Sequence, residues 1–218
     1  MKLNIPNKIT LLRIFMVPVF MIFALPFPDI LLEISFFKPI LSQLNAVRSF
    51  LAQYGNYIAA IIFILAACTD SLDGYLARKN NQITALGQFL DPIADKLLVT
   101  GALIALVERS EITSWIVLIV VGRDLIVNGL RFIAAVEGKV IAASKWGKIK
   151  TLAQMIAIVA VMLDNFPLNY ITDFDFGSYA MLAAVIATIF SGIHYIYINK
   201  HIFLINGKKP EDHSKSAK

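Results

Sequence analysis

Six long apolar runs restrict what this sequence can fold into. Each is about 17 to 25 residues long, which is the length a helix needs to cross the hydrocarbon core of a bilayer. Hydrophobic residues make up 58% of the 218-residue chain and charged residues only 16%, whereas a soluble domain has about 45 to 50% apolar and about 25% charged residues. We therefore predict an all-α integral membrane protein with six transmembrane helices.

The predicted spans follow one another with mostly short connections. They cover residues 9–25, 55–79, 84–107, 113–136, 146–163 and 179–199. Residues 1–8 mix apolar and basic or amide positions, which is typical of an amphipathic helix at the membrane interface. Residues 26–53 are interrupted by charges and prolines, so we expect an extracytoplasmic or interfacial insertion there. Residues 1–200 would form a single membrane-embedded domain, and the polar tail at 201–218 is predicted to be disordered.

Basic residues at the ends of the spans predict the orientation of the chain. If the N-terminus is cytoplasmic, six spans place on the same side Lys2, Lys8, Arg13, Arg78, Lys79, the basic residues of 139–150 and the tail. Cytoplasmic loops carry an excess of Lys and Arg, so the net charge of +5 is a topology signal rather than a sign of nucleic-acid binding. The sequence predicts a multi-pass cell-membrane protein with both termini in the cytoplasm.

Four aspartates interrupt the second and third spans. Asp70 and Asp73 precede the short connection at 79–83, and Asp91 and Asp95 follow it at nearly matching distances. In an antiparallel helical hairpin these positions stand level, and spacings of three and four residues put each pair on one helix face. Because a charged side chain deep in a bilayer costs roughly 2.5 to 3.5 kcal/mol, four carboxylates there indicate a function.

Converging carboxylates repel one another unless protons or cations neutralise them. Carboxylate oxygens are hard ligands that suit Mg²⁺ or Mn²⁺. Side chains that would favour zinc lie elsewhere: the histidines are in the last span or the tail, and Cys68 is interpreted as a packing residue. From the spacing alone, metal-assisted phosphate chemistry and ion transport both remain open.

The neighbours of the aspartates favour phosphate chemistry. Gly74 and Gly87 allow a ligand or another backbone to approach closely. Arg78 lies near the end of the second span, where its guanidinium can bind two phosphate oxygens. An ion channel would gain little from that arginine.

Residues 70–95 read Asp70-x-x-Asp73-Gly74-x-x-Ala77-Arg78, eight residues, Gly87-x-x-x-Asp91-x-x-x-Asp95. This pattern resembles the signature of the CDP-alcohol phosphotransferase family. Members are six-helix membrane proteins, usually homodimers, that transfer a phosphatidyl or related group from a CDP-linked donor to an alcohol and release CMP. The resemblance implies that fold, a homodimer and two divalent ions, Mg²⁺ or Mn²⁺.

The resemblance also implies roles for individual residues. Asp70, Asp73 and Asp91 would be metal ligands. Asp95 would complete the metal shell and act as the general base toward the acceptor hydroxyl. The residues implied to bind the CDP moiety are Asn7, Thr10, Asp70, Gly74, Ala77 and Arg78.

A second group of charges predicts a site for the acceptor. Arg123 lies well inside the fourth span, where a buried arginine requires an anion. Asp124 is adjacent, but neighbouring side chains on a helix point apart, so we do not expect that pair to satisfy the arginine. A cationic pocket made by Arg123, Arg131, Lys148 and Lys150 would bind a phosphate on the acceptor. The two lysines also fit a topology signal.

The stretches around these residues are similar to the phosphatidylglycerophosphate synthase branch of the family. One position differs: Asp124 stands where that branch commonly has Glu. We therefore expect an enzyme of phospholipid biosynthesis that uses CDP-diacylglycerol as donor, sn-glycerol 3-phosphate as acceptor and the membrane lipid as its medium. Inositol phosphate, serine or phosphatidylglycerol are alternative acceptors. A cation transporter built on the same carboxylates is the alternative from another functional class.

Overall fold

The computed structural model describes residues 5–34, 39–79, 85–136, 145–166, 171 and 174–200. Side chains are described at all of these positions except 5–9, 31, 33, 70–79, 85–89, 91, 92 and 145. Within these ranges the chain forms no strand, in agreement with the all-α prediction. Its helices are α1 (Ile5–Ala24), α2 (Ile30–Glu33), α3 (Leu41–Lys79), α4 (Ala85–Glu108), α5 (Ser114–Val136), α6 (Lys145–Met162) and α7 (Phe176–Ile198).

Five of the predicted spans coincide with helices that begin and end within a few residues of the expected positions. These are α1, α4, α5, α6 and α7. The expected interfacial helix at residues 1–8 is not separate, because its described part from Ile5 onward continues directly into the first span. Long apolar runs therefore predicted the helices well.

The second span differs most from its prediction. α3 begins at Leu41 instead of residue 55, so the predicted start of the second span is wrong, while the extracytoplasmic or interfacial placement of residues 26–53 stays a prediction. Residues 41–53 have no glycine or proline to stop a helix, and their polar residues lower the hydropathy without breaking the helix. At 1.5 Å per residue, the 39 residues of α3 give a length of about 58 Å. The hydrocarbon core is about 30 Å thick, so α3 is longer than one crossing requires.

The helices pack through small residues. α1 contacts both α3 and α4, α6 lies along α7, and α5 also packs on α7. Eight of the eighteen residues in the main buried cluster are alanines: Ala24, Ala59, Ala60, Ala66, Ala102, Ala105, Ala157 and Ala184. Small side chains let helix backbones approach closely, which is how helices associate in a bilayer.

The C-terminal end of α1 is held by two other parts of the chain. Arg109, just after α4, donates from Nε to the carbonyl oxygen of Ala24 at 2.6 Å and from Nη2 to that of Phe23 at 3.4 Å. These bonds satisfy carbonyls that a helix end leaves without partners. Gly55 of α3 lies against the same turn, where an added Cβ would be 2.6 Å from the Phe23 oxygen. This contact requires glycine at position 55.

Asp175 caps the start of α7. Its Oδ1 accepts from the backbone N–H of Ser178 at 3.1 Å and from Asn165 Nδ2 at 2.9 Å. These hydrogen bonds favour the ionised carboxylate and lower the pKa of Asp175. Asn165 Oδ1 in turn accepts from the N–H of Gly177, so the end of α6 is tied to the start of α7.

Among the described residues, two helical stretches are long and apolar enough to cross a membrane: Leu41–Thr69 of α3 and Phe176–Ile198, which is α7. α5 has a similar length but carries Arg123, Asp124 and Arg131. Large apolar side chains cover the outside of the bundle: Phe15 and Phe132 are 71% and 72% exposed. Water is a poor solvent for such a surface, so these features indicate a membrane protein.

Candidate active site

The four signature aspartates lie on two helices, Asp70 and Asp73 on α3 and Asp91 and Asp95 on α4. Helical backbone at these positions is what the predicted spacing requires. The side chains of Asp70, Asp73 and Asp91 lie outside the described part, as do those of four predicted CDP-binding residues, Asn7, Gly74, Ala77 and Arg78. The described side chains alone contain no group of three His, Cys, Asp or Glu residues that could hold a metal. The predicted metal shell therefore stays a prediction.

Charged side chains from α4, α5 and α6 meet around Asp124. Lys150 Nζ donates to Asp124 Oδ1 at 2.8 Å, and Arg123 Nη1 donates to the same oxygen at 3.2 Å. Lys96 Nζ donates to the other carboxylate oxygen, Oδ2. We call these four residues, Lys96, Arg123, Asp124 and Lys150, the Asp124 cluster.

Exposure increases across the Asp124 cluster from Lys150 to Lys96. The Lys150 side chain is 2% exposed and that of Asp124 8%, whereas the Lys96 side chain is 39% exposed. Lys96 Nζ also lies 3.7 Å from Asp95 Oδ2, and the Asp95 side chain is 28% exposed. Lys150, Arg123 and Asp124 are thus largely buried, whereas Lys96 and the predicted general base are partly exposed.

Arg123 is hydrogen-bonded through both of its terminal nitrogens. Nη1 contacts Asp124 and Nη2 donates to Ser191 Oγ of α7 at 2.5 Å. The sequence analysis did not expect Arg123 to be satisfied by Asp124, yet Nη1 reaches Asp124 Oδ1 because the arginine side chain is long. Gly192 makes room for this path: a Cβ there would be 3.0 Å from Arg123 Cγ. Arg123 Nε is buried and has no acceptor among the described residues.

The other two residues of the predicted acceptor pocket lie apart from the Asp124 cluster. Arg131 is exposed and follows Arg123 by eight residues, about 12 Å along α5. Its Nε donates to the hydroxyl of Tyr195 at 3.2 Å, and its guanidinium carbon lies 5.6 Å from the centre of that ring. Lys148 is exposed at the start of α6. The structure therefore brings together Arg123 and Lys150, but neither Arg131 nor Lys148 joins them.

α1 contributes buried polar residues. Thr10, a predicted CDP-binding residue, is 1% exposed, and so is Arg13. The topology analysis counts Arg13 among the basic residues of the cytoplasmic side, and the structure buries its side chain in the bundle. Positions 10 and 13 share one face of α1, so this face carries polar groups into the protein interior.

The Asp124 cluster has more positive than negative charge. Three cations around one carboxylate give the cluster a formal charge of +2, and counting Asp95, which lies 3.7 Å from Lys96, gives +1. Buried charge without a counter-ion is costly, and a phosphate monoester carries about −1.5 to −2 near neutral pH. A bound phosphate monoester would therefore balance the cluster.

Sequence reasoning missed the parts that Lys96, Asp124 and Ser191 play in this arrangement. The signal for Asp124 was its position inside an apolar run, since a buried carboxylate needs partners as much as a buried arginine does. Lys96 directly follows Asp95 and was not weighed separately. Ser191 carries no signal of its own, because buried hydroxyls are common in membrane helices.

Comparison with known proteins identifies the family. The sequence profile of the CDP-alcohol phosphatidyltransferases matches residues 3–190, which is most of the chain and includes the aspartate signature. The chain belongs to the CDP-alcohol phosphatidyltransferase family. The resemblance read from residues 70–95 is confirmed.

Similar proteins within the family cover almost the whole chain. One from Bacillus subtilis (strain 168) is 43% identical over 197 residues, which are 90% of this chain and 95% of the relative. One from Haemophilus influenzae is 36% identical over 212 residues, 94% of this chain and 98% of the relative. One from Sodalis glossinidius is 35% identical over 207 residues, 92% and 97% of the two chains. Each is named CDP-diacylglycerol–glycerol-3-phosphate 3-phosphatidyltransferase.

Proposed function

We propose that this chain transfers the phosphatidyl group of CDP-diacylglycerol to sn-glycerol 3-phosphate, giving phosphatidylglycerophosphate and CMP. The family and the names of the relatives support the donor and the reaction class. The acceptor assignment rests on the Asp124 cluster, which has a formal charge of +2 and lies next to Asp95. A phosphate-bearing alcohol would place its phosphate on these cations with its hydroxyl toward Asp95.

The donor half of the site would use the aspartate signature. Asp70, Asp73, Asp91 and Asp95 offer only carboxylate oxygens from two helices that contact each other, a donor set that fits one or two divalent ions such as Mg²⁺ or Mn²⁺. When bound, such ions would offset the charge of the diphosphate and of the leaving CMP. The residues proposed to hold the CDP moiety are Asn7, Thr10, Asp70, Gly74, Ala77 and Arg78.

The acceptor half would activate and orient the alcohol. Asp95 takes the proton from the acceptor hydroxyl, whose oxygen then forms the new bond to phosphorus as the bond to CMP breaks. Arg123 and Lys150 bind the acceptor's phosphate from the buried side, and Arg123 Nε supplies an unused donor. Arg131 and Lys148 would assist only at the periphery, since they lie apart from the cluster.

The proposed setting is a cell membrane crossed six times, with the aspartates near the cytoplasmic surface, both termini in the cytoplasm and a homodimer as the working unit. The distribution of Lys and Arg supports this orientation. Cysteine labelling from either side of oriented vesicles tests it. Labelling of the C-terminal tail from the outside would contradict the orientation.

Release of CMP tests the function directly. The purified protein is supplied with CDP-diacylglycerol, Mg²⁺ or Mn²⁺, and one candidate alcohol at a time. We expect CMP with sn-glycerol 3-phosphate and little with serine, inositol phosphate or phosphatidylglycerol. CMP release with one of these alternatives but not with sn-glycerol 3-phosphate would refute the acceptor assignment.

A further inference from the structure

We propose that Lys96 binds the phosphate of the acceptor and that Asp124 holds Lys96 in position before the acceptor arrives. The inference rests on the proposed function and concerns two residues that the aspartate signature does not include. Lys96 Nζ contacts Asp124 Oδ2 and lies 3.7 Å from Asp95 Oδ2. Among the described side chains, Lys96 is thus a cation that contacts both the predicted base, Asp95, and the carboxylate of Asp124.

The position of Lys96 matches the dimensions of the acceptor. In sn-glycerol 3-phosphate only a three-carbon chain separates the phosphate from the reacting hydroxyl. Asp95 must reach the hydroxyl, so the phosphate has to bind close to Asp95. Lys96 lies beside Asp95, whereas Lys150 contacts Asp124 and Arg123 contacts Asp124 and Ser191. Lys96 is therefore placed to contact the phosphate while the hydroxyl remains near the base.

A purely structural role explains Lys96 less well. Asp124 already accepts hydrogen bonds from Lys150 and Arg123, so its negative charge is neutralised without a third cation. Fixing the Lys96 side chain, which is 39% exposed, costs conformational entropy. Exposed ion pairs contribute little to the free energy of unfolding. Lys96 also lies 3.7 Å from Asp95, so its partly exposed ammonium group lies between the predicted base and the Asp124 cluster, where an anionic substrate can bind.

Asp124 then acts as a positioning residue rather than as a ligand of the substrate. Without it, three cations would repel one another at short distance, and the buried Lys150 and Arg123 would lose their counter-ion. When Asp124 is present, it holds Lys96 on the exposed side of the cluster. The formal charge of +2 that remains on the cluster can then attract the phosphate. The acceptor meets cations that are already in place, which reduces the entropy lost on binding.

Lys96→Met is the deciding variant, because it removes the charge, keeps the length of the side chain and leaves two cations on Asp124. We expect the KM for sn-glycerol 3-phosphate to rise at least about tenfold, the loss of one charge-assisted hydrogen bond. The KM for CDP-diacylglycerol should change by less than about twofold. The rise in melting temperature that sn-glycerol 3-phosphate or inorganic phosphate produces without donor should also shrink.

Three matched variants complete the experiment. Lys96→Arg should recover most of the acceptor affinity, and Lys200→Met, which removes an exposed lysine beside Tyr197, should behave as wild type. Asp124→Asn should weaken acceptor binding in the same selective way, and Asp124→Glu should restore it.

Equal changes in both KM values for Lys96→Met, or an unchanged thermal response to phosphate, would overturn the role of Lys96. A wild-type protein that releases no CMP with sn-glycerol 3-phosphate would instead refute the proposed function, so the two failures are distinguishable.

Discussion

Replacing Arg123 by alanine tests whether this buried arginine binds the phosphate of the acceptor. In the described part of the chain Nη1 and Nη2 are engaged by Asp124 and Ser191, and Nε has no acceptor. A guanidinium has five N–H donors and these contacts use two of them, so Arg123 can bind a phosphate without giving up its own contacts. A hydrogen bond to a charged group contributes about 1.5 to 3 kcal/mol. Because 1.4 kcal/mol is a factor of ten, the KM for sn-glycerol 3-phosphate should rise about 10- to 150-fold.

The fold should survive this change. Lys150 and Lys96 still neutralise Asp124, so the variant loses the bond to Ser191 and one ion pair but leaves no buried carboxylate unpaired. We expect stability to fall by about 1 to 3 kcal/mol. CMP release is measured while one substrate is varied at saturating levels of the other, and thermal unfolding in detergent is recorded in parallel.

Two control arginine variants separate charge from geometry. Arg48→Ala removes an exposed arginine that forms an ion pair with Asp29 at 3.0 Å, and it should leave both KM values unchanged. Arg123→Lys keeps the positive charge but lacks the Nε donor and should recover only part of the acceptor affinity. If Arg123→Ala raises both KM values by the same factor, or lowers only the melting temperature, Arg123 has a role in folding and the pocket assignment is wrong.

Three further predictions concern the base, a helix crossing and a helix cap. Asp95→Asn should abolish CMP release while Mn²⁺ and CDP binding, followed by calorimetry, largely persist, because the base is lost and three carboxylates remain. Gly55→Ala should lower stability by about 1 to 3 kcal/mol, since its Cβ would lie 2.6 Å from the Phe23 oxygen; Gly129→Ala, whose Cβ would meet nothing within 4 Å, should be neutral or stabilising in the same thermal unfolding assay. Asp175→Ala should cost about 1 kcal/mol at neutral pH. Because hydrogen bonds lower the pKa of Asp175, its contribution is present above the usual aspartate range and is lost as the pH falls through the lowered pKa. The difference in stability between this variant and wild type should therefore disappear in acid.

Each of these predictions can fail in a recognisable way. Normal turnover by Asp95→Asn would remove this residue from the proton transfer. Equal melting temperatures for the Gly55 and Gly129 variants would show that α1 and α3 can separate at no cost. A stability difference for Asp175→Ala that persists in acid would mean that the residue acts through packing rather than through its charge.

Hydropathy predicted the helices of this chain more reliably than their ends outside the bilayer. It identified α4, α5, α6 and α7 because apolar runs of span length have no other stable arrangement in lipid. It misplaced the start of α3, because Asn45 and Arg48 are unsuited to lipid but compatible with a helix. Hydropathy reports where a helix can be buried in the membrane, not where it begins.

The part of the candidate site whose residues lie close together in the sequence was predictable. The aspartate spacing in residues 70–95 was sufficient for the family, which the comparison confirmed. The Asp124 cluster was only half predictable, because its members come from three helices and no local rule states which lysine will reach Asp124. The burial of Arg123 could be read from its apolar neighbours, whereas its contact with Ser191 depends on how α7 packs against α5.

The alanine-rich interior has a consequence for engineering this protein. Ala59, Ala102 and Ala157 are fully buried in the main cluster, so there is little volume that a larger side chain could occupy, and overpacking is destabilising. Thermostable variants are better sought at helix ends and on the lipid-facing surface, where a substitution does not change the separation of the backbones. A library restricted to those positions should contain a higher proportion of folded members than one directed at the centre of the bundle.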